Sequence, residues 1–273
     1  MQYDPIKRSL GKVFNATPTL RVIFYKMLDV LLLRSWYIRH ELSKWNKQLN
    51  GAHANVLDAG SGFGQYTHRM AALSKNNNIL GVDVKEEQIA DCNAFFAKIG
   101  MANRVSFEVQ DLTQFVRPNH FDLIMSVDVM EHILDDVQVF RNFYASMKDG
   151  ATLLISTPSD QGGSDADEHE DGHVHGFIDE HVRDGYNIDD IKTKLTDAGF
   201  SNISASYSYG TPGHVAWVLS MKWPIIALNC TKLFFILLPL YYVVVFPFCL
   251  LLNTLDVCMK HKKGTGLIVR ATK

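Results

Sequence analysis

The stretch Val56-Leu57-Asp58-Ala59-Gly60-Ser61-Gly62-Phe63-Gly64 runs apolar, meets an acid and then places a glycine at every second position. Such a run reads as a buried strand turning into a helix, where bare backbone approaches a ligand and helix N-terminal N–H groups are free to bind it. A dinucleotide fingerprint spaces its glycines G-x-G-x-x-G, whereas here they fall at Gly60, Gly62 and Gly64, with Asp58 two places ahead. A carboxylate beside the turn repels a pyrophosphate and suits a cationic amino-acid head group. The loop points to a nucleotide-type ligand that carries a positive charge.

Downstream, the expected partners of such a loop fall at the expected distances. Ile79-Leu80-Gly81-Val82-Asp83 is an apolar strand ending in an acid, placed to take ribose hydroxyls. Residues 85–99 carry Ile89, Cys92, Phe95, Phe96 and Ile99 at helical spacing. The strand Val105-Ser106-Phe107-Glu108-Val109 leads to Asp111-Leu112, and Phe121-Asp122-Leu123-Ile124-Met125-Ser126-Val127 reads as a fourth strand before Asp128-Val129-Met130-Glu131-His132. In this order the segments resemble class I S-adenosylmethionine (SAM)-dependent methyltransferases, and the segment after the fourth strand looks like that of the quinone and lipid C-methyltransferases. The resemblance covers about residues 55–200 plus the terminal strand. It implies a doubly wound, Rossmann-like α/β fold with a seven-stranded sheet and SAM as cofactor. It also implies that Asp58, Gly60, Gly62 and Gly64 hold the methionine end, Asp83 the ribose, and Asp111 with Leu112 the adenine, with Val127 among the cofactor-binding residues.

Composition narrows the class. A chain of 273 residues, 47% hydrophobic with formal charge −2, is ordinary for an enzyme and suggests no nucleic-acid partner. Cys92, Cys230, Cys249 and Cys258 form no C-x-x-C pair, so neither a disulfide framework nor a zinc site is expected. The start, Met1-Gln2-Tyr3-Asp4-Pro5, lacks the apolar core of a signal peptide, which sets the expectation of a cytoplasmic catalytic part. Charge is unevenly placed: through Asn50 there are nine Lys or Arg against three acids, a net +6. In that region Phe24, Leu28, Leu31, Ile38, Leu42, Trp45 and Leu49 step as one helical stripe or a kinked pair. Residues 1–50 are read as cap helices over the core, a role compatible with contact to an anionic membrane.

The core, residues 51–210, continues with a helix at about 135–147, a turn at Asp149-Gly150 and a strand from Ala151 to Ser156. A helix at 188–198 stops at Gly199, a strand follows at 201–209, and residues 263–273 look like the terminal antiparallel strand. Two stretches break the pattern. One is the loop at 157–186, where His169, His173, His175 and His181 lie among Asp165, Asp167, Glu168, Glu170 and Asp171. It reads as a metal site or as a solvated acidic lid. No spacing matches a structural zinc pattern, and the loop is expected to form a wall of the acceptor pocket without metal. At its end Glu180, His181, Arg183 and Tyr186 regain apolar surroundings.

The other break is residues 211–262. LFFILLPLYYVVVFPFCLLL, at 233–252, is twenty residues without a charge, the length of a membrane span, and Lys260, His261, Lys262 and Lys263 flank it. Both ends return to one sheet, so a single crossing is excluded. A two-helix hairpin, a re-entrant loop broken at Pro239 and Pro247, or a pair of helices roofing the pocket remain. The expectation is an enzyme held monotopically or by a re-entrant segment on the cytoplasmic side of a membrane. It would methylate an apolar acceptor such as a quinone precursor, an aryl polyketide or another lipid. His132 and His181 are the candidate catalytic bases, histidine being suited to proton transfer near neutral pH. The rivals are an O-methyltransferase of a small soluble phenol with the insert as a lid, and a non-catalytic membrane scaffold, against which the intact Asp58, glycines and Asp83 count.

Overall fold

The computed structural model describes residues 17–162, 182–231 and 234–273. Two helices, α1 (Pro18–Leu31) and α2 (Leu33–Leu49), precede the sheet. Thr17 caps α1 by accepting from the Leu20 N–H, with Pro18 at the first turn where its missing N–H costs nothing. There follow β1 (Ala54–Ala59), α3 (Gln65–Leu73), β2 (Asn77–Asp83), α4 (Glu86–Lys98), β3 (Val105–Val109) and β4 (Phe121–Val127). A 3-10 turn (Met130–His132), α5 (Asp136–Ser146), β5 (Met147–Pro158), α6 (Ile188–Asp197) and β6 (Ser201–Ser208) complete the alternation.

The sheet has seven strands in the order β3-β2-β1-β4-β5-β7-β6, with β7 (Gly266–Thr272) antiparallel between β5 and β6. Strands buried on both faces read as continuous apolar runs, and successive residues go to opposite sides. Thus Val56 packs with α1 to α4 through Tyr25, Ile38, Met70 and Phe96, while Leu57 packs with α5 and α6 through Val139, Phe143 and Leu195. Each fully buried side chain of this size contributes roughly 1.5–3 kcal/mol.

Three expectations need correction. β5 begins at Met147 and absorbs Asp149-Gly150, which form a bulge where its register against β4 shifts, with Gly150 at φ +78°. The inward side of α1 is not purely apolar: Phe24 and Leu28 of the stripe are half-buried, but Arg21 and Tyr25 beside them are the fully buried residues, and Leu31 is half-exposed. Finally, Pro239 and Pro247 do not break the helix that contains them. Each removes one backbone hydrogen bond, whereas a break in so apolar a stretch would strand several.

Between β6 and β7, residues 211–230 and 234–258 form two packed helical arms, together a hairpin. Its first arm is α7 (Thr211–Trp217), a π-helical turn (Val218–Lys222) and α8 (Trp223–Cys230), and its second is α9 (Phe234–Cys258). The Tyr241 and Tyr242 hydroxyls donate to the carbonyls of Leu219 and Ser220 at 2.7 and 2.8 Å, satisfying oxygens of the widened turn. At the base, Asp256 is fully buried and accepts from the Tyr37 hydroxyl at 2.6 Å and the Gly213 N–H at 2.8 Å. One carboxylate thereby joins α2 to both arms.

Candidate cofactor and acceptor site

Because β1, β2, β4 and β5 run parallel, their C-terminal ends share one edge, where open α/β sheets hold ligands. Leaving β1, the chain turns at Gly60 with φ +81°. A Cβ there would sit 2.2 Å from the Val129 side chain, so only glycine lets the loop close on the segment after β4. Gly62 faces open space, and its N–H donates to Asp83 Oδ2 at 2.9 Å. The Lys85 N–H donates to Asp83 Oδ1 at 3.1 Å, so this carboxylate ties the loop to the end of β2. Gly64 packs on Phe96 and Cys92 as α3 begins.

Asp58 lies beneath the loop, 2% exposed, and accepts from the Thr67 hydroxyl. Burial pushes its carboxyl up to about 7, the Thr67 hydrogen bond opposing and Asp83 adding to the rise. None of these influences is a cation, so a positive head group would relieve the cost of ionising it. Ser61 Oγ and Ser126 Oγ are buried with no hydrogen-bond partner among the described residues. Such groups are nearly always satisfied in folded proteins; Ser61 lies in the loop itself and Ser126 near the end of β4 beside it. A buried acid with no cation acting on it, two unmet hydroxyls and space over Gly62 fit the amino-acid end of SAM.

At the adenine side the two expected residues diverge. Asp111 is exposed, and its Oδ1 accepts from the Thr113 N–H and hydroxyl at 2.9 and 2.8 Å. Leu112 is 6% exposed and packs in the core against α5, its carbonyl accepting from Asn142 at 2.9 Å. Most of its side chain is therefore committed to packing. Val127 closes β4, and His132 sits half-buried in the 3-10 turn beyond it. In that turn Glu131 is 1% exposed and accepts from the Thr157 hydroxyl at 3.1 Å. His181, with His169, His173, His175, Glu180 and the acids among them, lies outside the described residues. Arg183 and Tyr186 are described: both bond the buried Asp136, and Arg183 also donates to the Ile133 carbonyl at 2.8 Å, fixing the loop's end beside the post-β4 segment. Among the described residues no cluster of metal-ligating side chains is present.

Several residues around the site carry no local sequence signal. Arg21 and Tyr25 of α1 both donate to the Phe63 carbonyl in the glycine loop, and Arg21 stacks 4.4 Å over Phe95. Arg34 pairs with Asp128, which adopts φ +51°, and its Nε is buried without a partner among the described residues. Tyr209, beyond β6, is held near Arg34 and Tyr66, and burial pushes its phenol up to about 12. The i, i+4 spacing of Arg21 and Tyr25 within an apolar helix was the only available hint of a shared inward task. A separate cavity of about 280 Å³ opens at the opposite edge of the sheet by Asn55, Asn78 and Arg104, away from the glycine loop.

Comparison with known proteins agrees with this geometry. A family model described as a methyltransferase domain matches residues 50–198, just over half of the chain. Phosphoethanolamine N-methyltransferase 1 of Triticum aestivum is 34% identical over 158 residues, 56% of this chain and 30% of that protein. Cyclopropane mycolic acid synthase 2 of Mycobacterium bovis is 24% identical over 164 residues, 57% of this chain and 53% of its own length. The chain thus spans under a third of the wheat protein. Phosphoethanolamine N-methyltransferase 2 of Haemonchus contortus, solved in complex with S-adenosyl-L-methionine, shares the fold with a TM-score of 0.56 at 19% identity, over 92% of this chain and 60% of that one. On its family match, its sheet order and its glycine loop, the chain belongs to the methyltransferase domain family, the class I enzymes that use SAM.

Proposed function

We propose that this protein transfers a methyl group from SAM to an acceptor that resides in a lipid phase, with the hairpin of residues 211–262 in the membrane. One observation carries the reading. Ser208, at the end of β6, pairs with Gly266, at the start of β7, and Gly266 pairs with Pro158, at the end of β5. The hairpin between β6 and β7 therefore rises from the same sheet edge that carries the glycine loop. Its second arm has a mean hydropathy of 2.5 over an 18-residue window of which only 6% is buried. Exposing such a surface to water is unfavourable by about 25 cal/mol per Å² of apolar area, and a bilayer removes that cost. Since both ends of the hairpin return to the sheet, the core stays on one side, and the Lys260, Lys262 and Lys263 flank suits the cytoplasmic face.

When bound, SAM supplies an electrophilic methyl on a sulfonium, and the chain's own residues orient, exclude water and move a proton. Asp58 and the loop from Gly60 to Gly64 would hold its amino-acid end, Asp83 the ribose and Asp111 the adenine. His132, on the turn that follows Val129, the residue packed against the loop, is the candidate base for an acceptor that must lose a proton, and the buried Arg34 Nε is a donor left over for an acceptor oxygen. A second reading is favoured by the wheat and nematode relatives, whose names specify phosphoethanolamine: a water-soluble amine acceptor, with the hairpin serving only as an anchor. Supplying the purified enzyme with labelled SAM and either vesicles of extracted lipid or soluble phosphoethanolamine separates the two. His132→Ala should lower turnover about 10²–10⁴-fold while leaving SAM affinity unchanged if it is the base.

A further inference from the structure

We infer that the outward face of α1 rests on the lipid surface and that this contact holds the cofactor loop closed, an inference that depends on the membrane reading of the hairpin. The helix has two faces with separate tasks. Inward, Arg21 and Tyr25 converge on the Phe63 carbonyl between Gly62 and Gly64, and Arg21 is braced by Asp91 on α4 at 2.5 Å. Outward, Ile23, Met27, Val30 and Leu31 are 46, 45, 41 and 51% exposed. These positions follow one another along a single helix face. Lys26, also exposed, lies in the same row.

Apolar residues in a row with a cation among them are the pattern of an interfacial helix, which gains from burial in the headgroup region and from anionic lipid. The position of α1 supports a bilayer as the occupant. Just beyond its C-terminus the Leu33 side chain packs on Gly213 at the foot of the hairpin, close enough that a Cβ there would lie 2.5 Å away. The C-terminal end of α1 thus adjoins the foot of the segment assigned to the membrane. Only a seated α1 places both donors on Phe63. Lipid that binds the seated helix shifts the population toward it, and the cofactor then meets a loop already closed.

The test uses the full chain, vesicles of phosphatidylcholine with and without phosphatidylglycerol, flotation, and titration with S-adenosylhomocysteine by calorimetry. The wild type should float, and anionic vesicles should tighten its cofactor binding by about fivefold or more. The variant Ile23→Glu/Met27→Glu/Leu31→Glu alters only exposed positions; it should melt as the wild type does, still float by its hairpin, and gain nothing in affinity from vesicles. Tyr25→Phe should float and show slowed amide exchange in α1 on vesicles, yet lose most of the lipid effect on affinity. Vesicles without effect on wild-type affinity, or an equal gain in the triple variant, would overturn the inference. A lipid response seen only after removal of residues 1–16 would also overturn it, making that segment the occupant of the face. If the wild type fails to float, the membrane reading of the hairpin fails first.

Discussion

The central strands and the second arm of the hairpin are written in the same residues, and the protein treats them in opposite ways. Leu57, Leu123 and Ile124 in β1 and β4 are 0% exposed, whereas Phe235, Ile236 and Val243 in α9 are 70, 75 and 72% exposed. In the sheet, helices on both faces shield the apolar run, and the strand ends open onto a polar cofactor loop. In the hairpin no protein covers the outer surface among the described residues, and the polar contacts that join it to α2 meet at its base on Asp256. An apolar sequence states that an element must be kept from water; it does not state what keeps it so. The sheet answers with protein, and the hairpin, on our account, with lipid.

Replacing residues 211–262 by a short polar linker separates the two regions most sharply. The remaining core should be soluble and bind SAM, while methylation of a lipid-borne acceptor falls on the order of 10²-fold or more as the local concentration of acceptor is lost. Unchanged activity on vesicle-borne acceptor would remove the functional distinction between the two regions. Within the core, Asp83→Ala takes away the carboxylate that the Gly62 and Lys85 N–H groups share. Hydrogen bonds to a charged group are worth about 1.5–3 kcal/mol, so SAM affinity should drop roughly ten- to over a hundredfold by calorimetry.

The pH dependence follows from Asp58, whose carboxyl is raised to about 7 in the folded, cofactor-free protein. Between the ordinary carboxylate range and about 7 the folded state holds a proton that the unfolded state has lost. Stability of the cofactor-free protein therefore falls as pH rises through this window, and the penalty is complete above it. A cationic ligand favours the ionised acid, so SAM binding should tighten by up to about tenfold per pH unit below 7 and level off above. Asp58→Asn should flatten that profile; a wild-type affinity independent of pH from acid to neutral would contradict the assignment. The smallest effect is on stability: Gly60→Ala combines a positive φ with a clash on Val129 and should cost about 1–3 kcal/mol in denaturant unfolding.

How much of this was legible in the sequence depended on the distance between partners. The central strands of the core were readable because their apolar runs are local and the glycine turn, Asp58 and Asp83 follow in fixed order along the chain, and the edge strands β3 and β6 because they alternate. The bulge at Asp149-Gly150 was half legible: the glycine announced a reversal of φ, and only the register with β4 shows that it lies inside the strand. The grip of Arg21 and Tyr25 on Phe63 and of Tyr37 on Asp256 joins segments far apart in sequence, where neither residue has a local pattern to betray it. Leu112 was assigned to the adenine only by resemblance, and the structure shows how much of its side chain the core takes. Pro239 and Pro247 misled because the rule that proline ends a helix weighs one lost hydrogen bond against solvent, and α9 has no water-exposed alternative of equal worth.

The most direct measurement of the central claim is the phase in which the methylated product is found. The intact protein is incubated with methyl-labelled SAM, membrane vesicles of extracted lipid and the soluble metabolites of the same cells, and the mixture is then partitioned between organic solvent and water. Our account predicts that the label collects in the organic phase. Label recovered in a water-soluble product instead, formed at the same rate with and without vesicles, would contradict it.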